Sequence, residues 1–221
     1  MGALPAQSPH GGFGHNDLSA ACLTLAKPAE ADCDAVVGVL ARAFRDNPLT
    51  LAIVGADPTR RLRSNLHGMG ALLPVAQRHG LVLAAFHQAR VVGALLAAPP
   101  YAYPFPPAAP GARLRCLLRQ GWRVTASWRR TFAHLDGLHP QQPHWYLGSF
   151  GVDPPAQQGG VGRALLREFM ARADADGLPA YLETDRSENV AFYRRSSFEA
   201  SGRTEILGVH VWRMLRAAAT P

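Results

Sequence analysis

Hydrophobic residues recur along this chain with two different periods, and these periods predict a mixed order of helices and strands. Apolar residues recur at three- and four-residue steps over 29–44 and 58–77, which is typical of amphipathic helices. The apolar runs 80–86 and 91–97 flank a short turn and predict a β-hairpin. With a first strand at 22–26, the first half is predicted to follow the order β-α-α-β-β.

The second half is predicted to contain four more strands and two more helices. The strands are expected at 144–152, 180–184, 198–202 and 209–215, and the helices at 161–174 and 189–195. The complete order is typical of the α/β class with a mixed sheet.

Breaks in the periodicity divide the chain further. Residues 1–20 are rich in Gly, Pro, Ser and His, so we expect a flexible leader before a single domain over 21–221. Pro48 is expected to end the first helix, because the residue before a proline disfavours helical conformation. Residues 108–140 predict a basic helical insert, which Gly121 is expected to divide into two helices.

The composition excludes several classes of protein. A hydrophobic content of 48% with 18% charged residues excludes a disordered chain. No apolar run approaches the roughly 20 residues of a membrane helix, and no secretory signal is recognisable, so we expect a cytoplasmic protein with no membrane partner. The net charge of +7 comes from arginines spread along the chain, which makes nucleic-acid binding the weakest alternative. The cysteines Cys22, Cys33 and Cys116 lack zinc-ligand spacing, so no metal is expected.

A glycine-containing loop between a predicted strand and a predicted helix carries the first chemical signal. Gly160 and Gly162 lie in the run 157–164, where missing Cβ atoms let a ligand approach the backbone. The unpaired N–H groups and the positive dipole end of the following helix form a phosphate site. The run lacks the Gly-Lys-Ser/Thr of a P-loop and the position of a Rossmann fingerprint. A plain tight turn remains the alternative.

Two motifs carry a resemblance to a known family. Gln157-x-x-Gly160-x-Gly162, after a strand ending Gly151-Val152-Asp153-Pro154, resembles the acyl-CoA-binding motif of the GCN5-related N-acetyltransferase (GNAT) superfamily. The run Asn189-x-x-Phe192-Tyr193, followed by Phe198, resembles the second signature of that family. The phrases 144–147 and 178–184 look most similar to the puromycin N-acetyltransferase-like group. The resemblance is dense over 144–202, the expected acyl-CoA-binding core, and departs from the family at Ser197, where glycine is usual.

The resemblance implies a seven-stranded mixed sheet whose fourth and fifth strands splay apart around acetyl-CoA, with CoA as product. It implies strand-like bonds from pantetheine to the backbone around 150–152 and a pyrophosphate on the amides of 158–162. A side-chain contact from Arg163 is an expectation, with a solvated surface role as the alternative. The implied cofactor-binding residues are Phe150, Gly151, Val152, Gln157, Gln158, Gly159, Gly160, Val161, Gly162, Arg163 and Asn189.

Asn189 and Tyr193 are four residues apart on a predicted helix and therefore share a face. By the resemblance, Tyr193 would donate a proton to the departing CoA thiolate, with a buried structural tyrosine as the alternative. Glu183 is the first candidate for the general base, because a partly buried carboxylate can take up a proton. Asp46, His144 or a chain of water molecules are the other candidates.

The acceptor pocket is expected from the first half of the chain and the insert. Its candidates are Phe44, Asp46, Asn47, Tyr103 and Trp122, an aromatic set with an acid that suits a hydrophobic amine. The alternative is that these aromatic side chains only pack the insert onto the sheet.

We therefore expect an acetyl-CoA-dependent N-acetyltransferase that acts on a primary amine of a small molecule, by direct attack in a ternary complex. A longer acyl donor, a peptide or protein amine as acceptor, and a non-catalytic acyl-CoA sensor remain alternatives. A homodimer is left open.

Overall fold

The structure is a computed structural model that describes residues 23–218, so the predicted leader at 1–20 and Cys22 lie outside the described residues. Seven strands are present in this range, as predicted. They are β1 (Leu23–Ala26), β2 (Leu81–His87), β3 (Arg90–Ala98), β4 (Trp145–Val152), β5 (Ala180–Thr184), β6 (Glu199–Ile206) and β7 (Val209–Arg216).

Seven α-helices accompany the strands in the described range, with two short 3-10 turns at Glu30–Asp32 and Pro154–Ala156. The helices are α1 (Cys33–Ala43), α2 (Pro48–Val54), α3 (Pro58–His79), α4 (Pro110–Gln120), α5 (Trp122–Asp136), α6 (Val161–Ala175) and α7 (Ser187–Arg194). Only α2 has no counterpart in the prediction. Gly121 separates α4 from α5 at a φ of 84°, as the sequence indicated.

All seven strands join one sheet in the order β1-β2-β3-β4-β5-β7-β6. Every pairing is antiparallel except that of β4 with β5, which is parallel. The predicted mixed α/β fold is therefore confirmed.

Helices cover both faces of the sheet and bury two separate cores. On one face, α6 buries Leu165, Leu166 and Phe169 against β2, β3, β4 and β5. On the other face, α1 and α3 bury Leu40 and Leu73 against β2 and β3. Because neighbouring residues of a strand point to opposite faces, β2 and β3 contribute to both cores.

The insert helices lie on the same face as α1 and α3. Helix α4 packs on α3 without burying any side chain fully. Helix α5 buries Leu135 in a small cluster with Leu49 of α2 and Val211 of β7. The insert therefore forms a wall beside the sheet. No helix within 23–218 is both long and apolar enough to cross a membrane.

Candidate active site

Strands β4 and β5 pair over only two residues and then separate. The parallel register joins Trp145 to Ala180 and Tyr146 to Tyr181. Beyond Tyr146, no strand among residues 23–218 pairs with the β5-facing edge of β4, whereas its other edge stays paired with β3 as far as Val152. The predicted splay is thus present, and it exposes a strand edge on which an extended ligand can form backbone hydrogen bonds.

The chain after β4 forms the predicted loop in front of α6. Gln158 and Gly160 both take left-handed backbone conformations, with φ of 70° and 80°. The first intrahelical bond runs from Ala164 N–H to Gly160 C=O at 3.0 Å. The amides of residues 161–163 precede that bond and have no intrahelical acceptor. They lie at the positive end of a fifteen-residue helix, which favours an anion.

The two loop glycines differ in what a side chain at their positions would meet. A Cβ built on Gly160 would meet nothing within 4 Å, so this position borders open space. A Cβ on Gly162 would lie 3.4 Å from Phe150 and 3.5 Å from Val152, at ordinary contact distance. Gln157 fastens the loop to the end of β4, because its Nε2 donates to Val152 C=O at 3.1 Å. The exposed Arg163 lies in the first turn of α6.

Gly151 has a packing role besides any contact with a ligand. A Cβ there would lie 2.7 Å from the Cβ of Ala43 and 3.3 Å from Leu40. Only glycine therefore lets α1 approach β4 this closely. The Cα hydrogen of Gly151 that a side chain would replace points at α1. Only the backbone of this residue can therefore contribute to a cofactor site.

The two predicted residues of α7 lie beside the splay. Asn189 donates from Nδ2 to Thr184 Oγ1, at the end of β5, at 3.3 Å. Tyr193 is buried next to Phe150 of β4, with ring centroids 6.4 Å apart. Burial, with a smaller effect of the Asp185 charge, raises the pKa of the Tyr193 phenol. The phenol is therefore neutral at physiological pH and is available as a proton donor.

A cavity of about 510 Å³ adjoins the splay on the face of α1, α3 and α5. Phe44, Asn47 and Tyr103, which the sequence analysis named for the acceptor pocket, line this cavity. Most other lining residues are apolar, and the acidic ones are Asp136, Glu183 and Asp185. An enclosure of this composition suits a hydrophobic molecule that carries a positive charge.

Asp46 does not line the cavity, contrary to the sequence prediction. Its carboxylate accepts hydrogen bonds from Arg45 and Arg61 at 2.6 to 2.9 Å. These bonds, that of Arg45 first, lower the pKa of Asp46 to about 2. Arg61 also donates to the backbone carbonyls of Arg45, Gly55 and Ala56. Asp46 and Arg61 thus connect the turns before and after α2. With its pKa lowered, Asp46 is a poor base.

Trp122 also lies away from the cavity. It is the first residue of α5, its side chain is 67% exposed, and it contacts the guanidinium of Arg123. The insert lines the cavity through Trp128 and Phe132 instead, which stack at 5.4 Å. The sequence analysis named Trp122 for the acceptor pocket and did not name Trp128 or Phe132.

Glu183 lies on β5 with a side chain only 7% exposed, at the boundary of the cavity. Its Oε1 is 3.3 Å from Nε2 of His139, a residue of the loop after α5 that the sequence analysis did not select. Tyr103 stacks on the His139 ring at 4.5 Å. His144, the other candidate base, is half-buried behind His139, and burial lowers its pKa.

Asp185 is a second residue that the sequence analysis missed. It accepts hydrogen bonds from Asn47 Nδ2 at 3.1 Å and from Leu49 N–H at 2.9 Å. It therefore links the start of α2 to the residue that follows β5. Nothing in the local pattern around Asp185 signals this contact, because its partners lie more than 130 residues earlier.

Comparison with known proteins agrees with this geometry. The model of the Acetyltransferase (GNAT) family matches residues 56–198. The fold is similar to the crystal structure of histone acetyltransferase HPA2 and related acetyltransferase from Corynebacterium glutamicum, with a TM-score of 0.69 and 22% identity over 90% of this chain and 98% of that chain.

Two other solved structures are similar in fold at lower identity. The polyamine N-acetyltransferase of Drosophila melanogaster matches with a TM-score of 0.63 and 12% identity, over 88% of this chain and 99% of that chain. The PaiA N-acetyltransferase of Thermoplasma acidophilum, in complex with coenzyme A, matches with a TM-score of 0.55 and 14% identity, over 88% and 98%. At such identities these likenesses show the fold alone. The family match, however, spans well over half of the chain, and this protein therefore belongs to the acetyltransferase (GNAT) family.

Proposed function

We propose that this protein is an acetyl-CoA-dependent N-acetyltransferase that acts on a primary amine of a small hydrophobic molecule. One observation carries the proposal: the open edge of β4 connects the anion-binding loop at 157–162 with the acid-containing cavity. An elongated cofactor and a compact amine can therefore approach the same strand from its two ends.

The residues around the splay fit acetyl-CoA, which supplies an activated acetyl group when it is bound. The amides of 158–163 would hold its pyrophosphate, and the backbone of 150–152 would bind its pantetheine arm. Asn189 and the loop side chains of Gln157 and Arg163 complete the proposed cofactor site. The structure of the Thermoplasma acidophilum relative with coenzyme A supports this assignment.

Two side chains of this chain would move protons in the reaction. Glu183, buried at the cavity boundary, would take a proton from the substrate ammonium, so that a neutral amine can attack. Tyr193, neutral and beside Phe150, would donate one to the leaving sulfur. Of the cysteines within 23–218, only Cys116 lines the cavity, and burial raises the pKa of its thiol. A thiol held in its neutral form is a weak nucleophile, which favours direct transfer over an acyl-enzyme.

A small amine is favoured over a peptide because the cavity has walls on several sides. The loop with Pro104 and Phe105, the insert residue Trp128, and Leu72 of α3 all border it. The Drosophila relative, a polyamine acetyltransferase, is consistent with a small acceptor. Assignment to the puromycin N-acetyltransferase-like group, the acetyl rather than a longer acyl donor, a cytoplasmic location and a homodimer stay predictions.

Calorimetric titration with acetyl-CoA tests the cofactor assignment. We expect micromolar binding that is lost in Gly160→Glu, because a carboxylate in this open position occupies and repels the pyrophosphate. Gly177→Glu is the matched control, since Gly177 also has a positive φ, of 65°, and nothing within 4 Å of a Cβ, but is exposed and lies after the end of α6. Equal affinity in both variants, or no binding to the wild type, would overturn the assignment.

Release of the CoA thiol in the presence of a panel of amines tests the reaction. We expect turnover with aromatic and aliphatic primary amines and little with peptides. Tight binding of acetyl-CoA without turnover on any amine would instead support the acyl-CoA sensor.

A further inference from the structure

The lining of the cavity is acidic, although the chain as a whole carries a net charge of +7. Among the described residues, the lining includes the carboxylates of Asp136, Glu183 and Asp185 but no Lys, Arg or His side chain. The arginines that supply the net charge therefore lie outside this lining. A cation that enters the cavity meets only opposite charge, and the surroundings of the three carboxylates determine which of them binds it.

Two of these carboxylates have their charge screened or balanced within the protein. Asp136 is exposed to water and accepts a hydrogen bond from the Tyr103 hydroxyl. Glu183 has a side chain only 7% exposed, and Arg213 lies opposite it in the register of β5 with β7. Water weakens the attraction of Asp136 for a ligand, and a cationic residue already stands across from Glu183.

Asp185 differs because only neutral groups donate to its carboxylate. Asn47 Nδ2 donates to Oδ1 at 3.1 Å, and Leu49 N–H donates to Oδ2 at 2.9 Å. Both partners also line the cavity, and no ion pair within 23–218 includes Asp185. Each oxygen accepts one of these bonds and keeps a further lone pair. The carboxylate is thus held in one orientation and can still accept hydrogen bonds from a ligand.

The charge of Asp185 is also partly removed from water. Burial raises the pKa of its carboxyl, although the hydrogen bonds and the charge of the neighbouring Arg186 lower it. A bound cation would offset the cost of this burial, because opposite charges attract more strongly where water is excluded. Burial, and to a smaller extent the Asp185 charge, raises the pKa of the Tyr193 phenol. The Asp185 carboxylate therefore lies within electrostatic reach of the proposed proton donor.

We propose that Asp185 binds the ammonium group of the acceptor and makes the cavity select a positively charged molecule over a neutral one of the same shape. This inference rests on the proposed function and names the residue that recognises its substrate. The ammonium donates hydrogen bonds to the Asp185 oxygens, and the apolar part of the molecule lies in the apolar part of the cavity. Glu183, two residues earlier in the chain, keeps its proposed role as the base, so Asp185 stays charged.

Calorimetric titration with two isosteric ligands tests the site without turnover. Phenethylamine and phenethyl alcohol have the same ring and chain, and only the amine is positively charged at pH 7. Each is titrated into the protein with and without CoA. We expect the wild type to bind the amine about tenfold or more tightly than the alcohol, as is usual for a hydrogen bond to a charged group. In Asp185→Asn, the Kd of the amine should rise by about the same factor, and that of the alcohol should stay within about twofold.

Two other variants separate the charge of Asp185 from its structural bonds. Asn47→Ala removes one of the same hydrogen bonds and leaves the carboxylate, so the preference for the amine should persist. Asp136→Asn removes another carboxylate of the cavity and should also keep the preference. Thermal unfolding of each variant excludes misfolding.

Three results would overturn the proposal. The first is a wild type that binds the amine no better than the alcohol. The second is a preference for the amine that survives in Asp185→Asn, whether or not both ligands lose affinity equally. The third is a preference that is lost to the same degree in Asn47→Ala or Asp136→Asn, because the charge of Asp185 would then not be its source.

Acetylation kinetics separate failure of this site from failure of the proposed function. If no amine is acetylated but Asp185→Asn abolishes the preference, the cation site stands and the proposed function fails. If phenethylamine is acetylated with the same KM in Asp185→Asn as in the wild type, the proposed function stands and the cation site fails. A lower kcat at unchanged KM would also contradict the proposal, because Asp185 would then act in the chemical step.

Discussion

Arg42 of α1 binds Asp153, the first residue after β4, through two parallel hydrogen bonds. Nε donates to Oδ1 at 2.7 Å and Nη2 to Oδ2 at 2.8 Å. The Asp153 N–H also bonds to Val92 C=O on β3 at 2.9 Å. The helix that leads to Phe44 in the cavity therefore also holds the segment between β4 and the loop at 157–162, and the two halves of the proposed site share one anchor.

Breaking this anchor should weaken cofactor binding. In Asp153→Asn we expect the Kd for acetyl-CoA to rise about fivefold, equivalent to about 1 kcal/mol, because the pair is partly exposed and its charges are screened. Glu168→Gln removes another arginine partner, that of Arg172 on α6, and should leave the Kd unchanged. A Kd in Asp153→Asn within experimental error of the wild type would show that the loop holds its shape without α1.

Removing the Tyr193 hydroxyl should slow turnover and spare cofactor affinity. We expect kcat to fall about 100-fold in Tyr193→Phe, the usual effect of losing a general acid, with the Kd for acetyl-CoA within about twofold. Because the pKa of Tyr193 is raised above its ordinary 10, no alkaline inflection below that pH should come from it. Tyr101→Phe, at a residue 87% exposed, is the control. Unchanged kcat in Tyr193→Phe would assign the ring to packing alone.

The two tryptophans of the insert should differ in their effect on the amine substrate. In Trp128→Ala we expect the KM for a hydrophobic amine to rise at least tenfold, because an aromatic wall of the cavity is lost. Trp122→Ala should leave KM unchanged, since Trp122 is exposed and points away from the cavity. Equal effects on KM would place the amine elsewhere.

The backbone conformation of Ser197 should lower the free energy of unfolding. It follows α7 with a φ of 62°, in the left-handed conformation, while Phe198 N–H bonds back to Tyr193 C=O at 3.2 Å. This ending usually carries glycine, and other residues lose about 1 kcal/mol or more there. We therefore expect Ser197→Gly to raise the free energy of unfolding by about 1 kcal/mol, measured by denaturant titration. Ser196→Gly, at a position without a positive φ, should give no gain.

Asp46 and Asp185 should contribute to stability with opposite dependence on pH. The pKa of Asp46 is lowered to about 2 by its arginine partners, so its contribution is present above the usual 3.8 and is lost as the pH falls toward 2. Screening limits it to about 1 kcal/mol, because the side chain is 47% exposed. Burial raises the pKa of Asp185, so its contribution is largest below 3.8 and decreases as the pH rises.

Unfolding free energies between pH 3 and 6 measure both effects. The advantage of the wild type over Asp46→Asn should grow with pH, and its advantage over Asp185→Asn should shrink. Curves with the same slope for the two variants would contradict the assignment of opposite pKa shifts.

The parts of the fold that follow from short-range patterns could be predicted. The bounds of β5 agree with the prediction, and Gly121 divides the insert because it takes a backbone conformation that side chains disfavour. The prediction missed helix α2 because Pro48 lies at the boundary between two helices. The proline that ends one helix also opens the next at its first position, where its missing N–H costs nothing.

The parts of the site that depend on how distant segments meet could not be predicted. His139 contacts Glu183 only because α5 packs against the sheet. No local sequence pattern marks the loop that carries His139. Trp122 and Trp128 both lie on α5 after the break at Gly121, but six residues turn a helix by about 600°, so the two side chains lie about 120° apart and only Trp128 lines the cavity. The loop at 157–162 could be predicted to lie between a strand and a helix, because its glycines, strand and helix are consecutive in the chain.

With only two residue pairs joining β4 to β5, the sheet consists of a four-stranded and a three-stranded part with an unpaired strand edge between them. Such an edge is a template for any extended chain, including a second copy of the same protein. A ligand that lies along it covers the backbone groups through which copies would associate. If acetyl-CoA binds as proposed, it is thus expected to protect this chain from edge-to-edge aggregation as well as to supply the acetyl group.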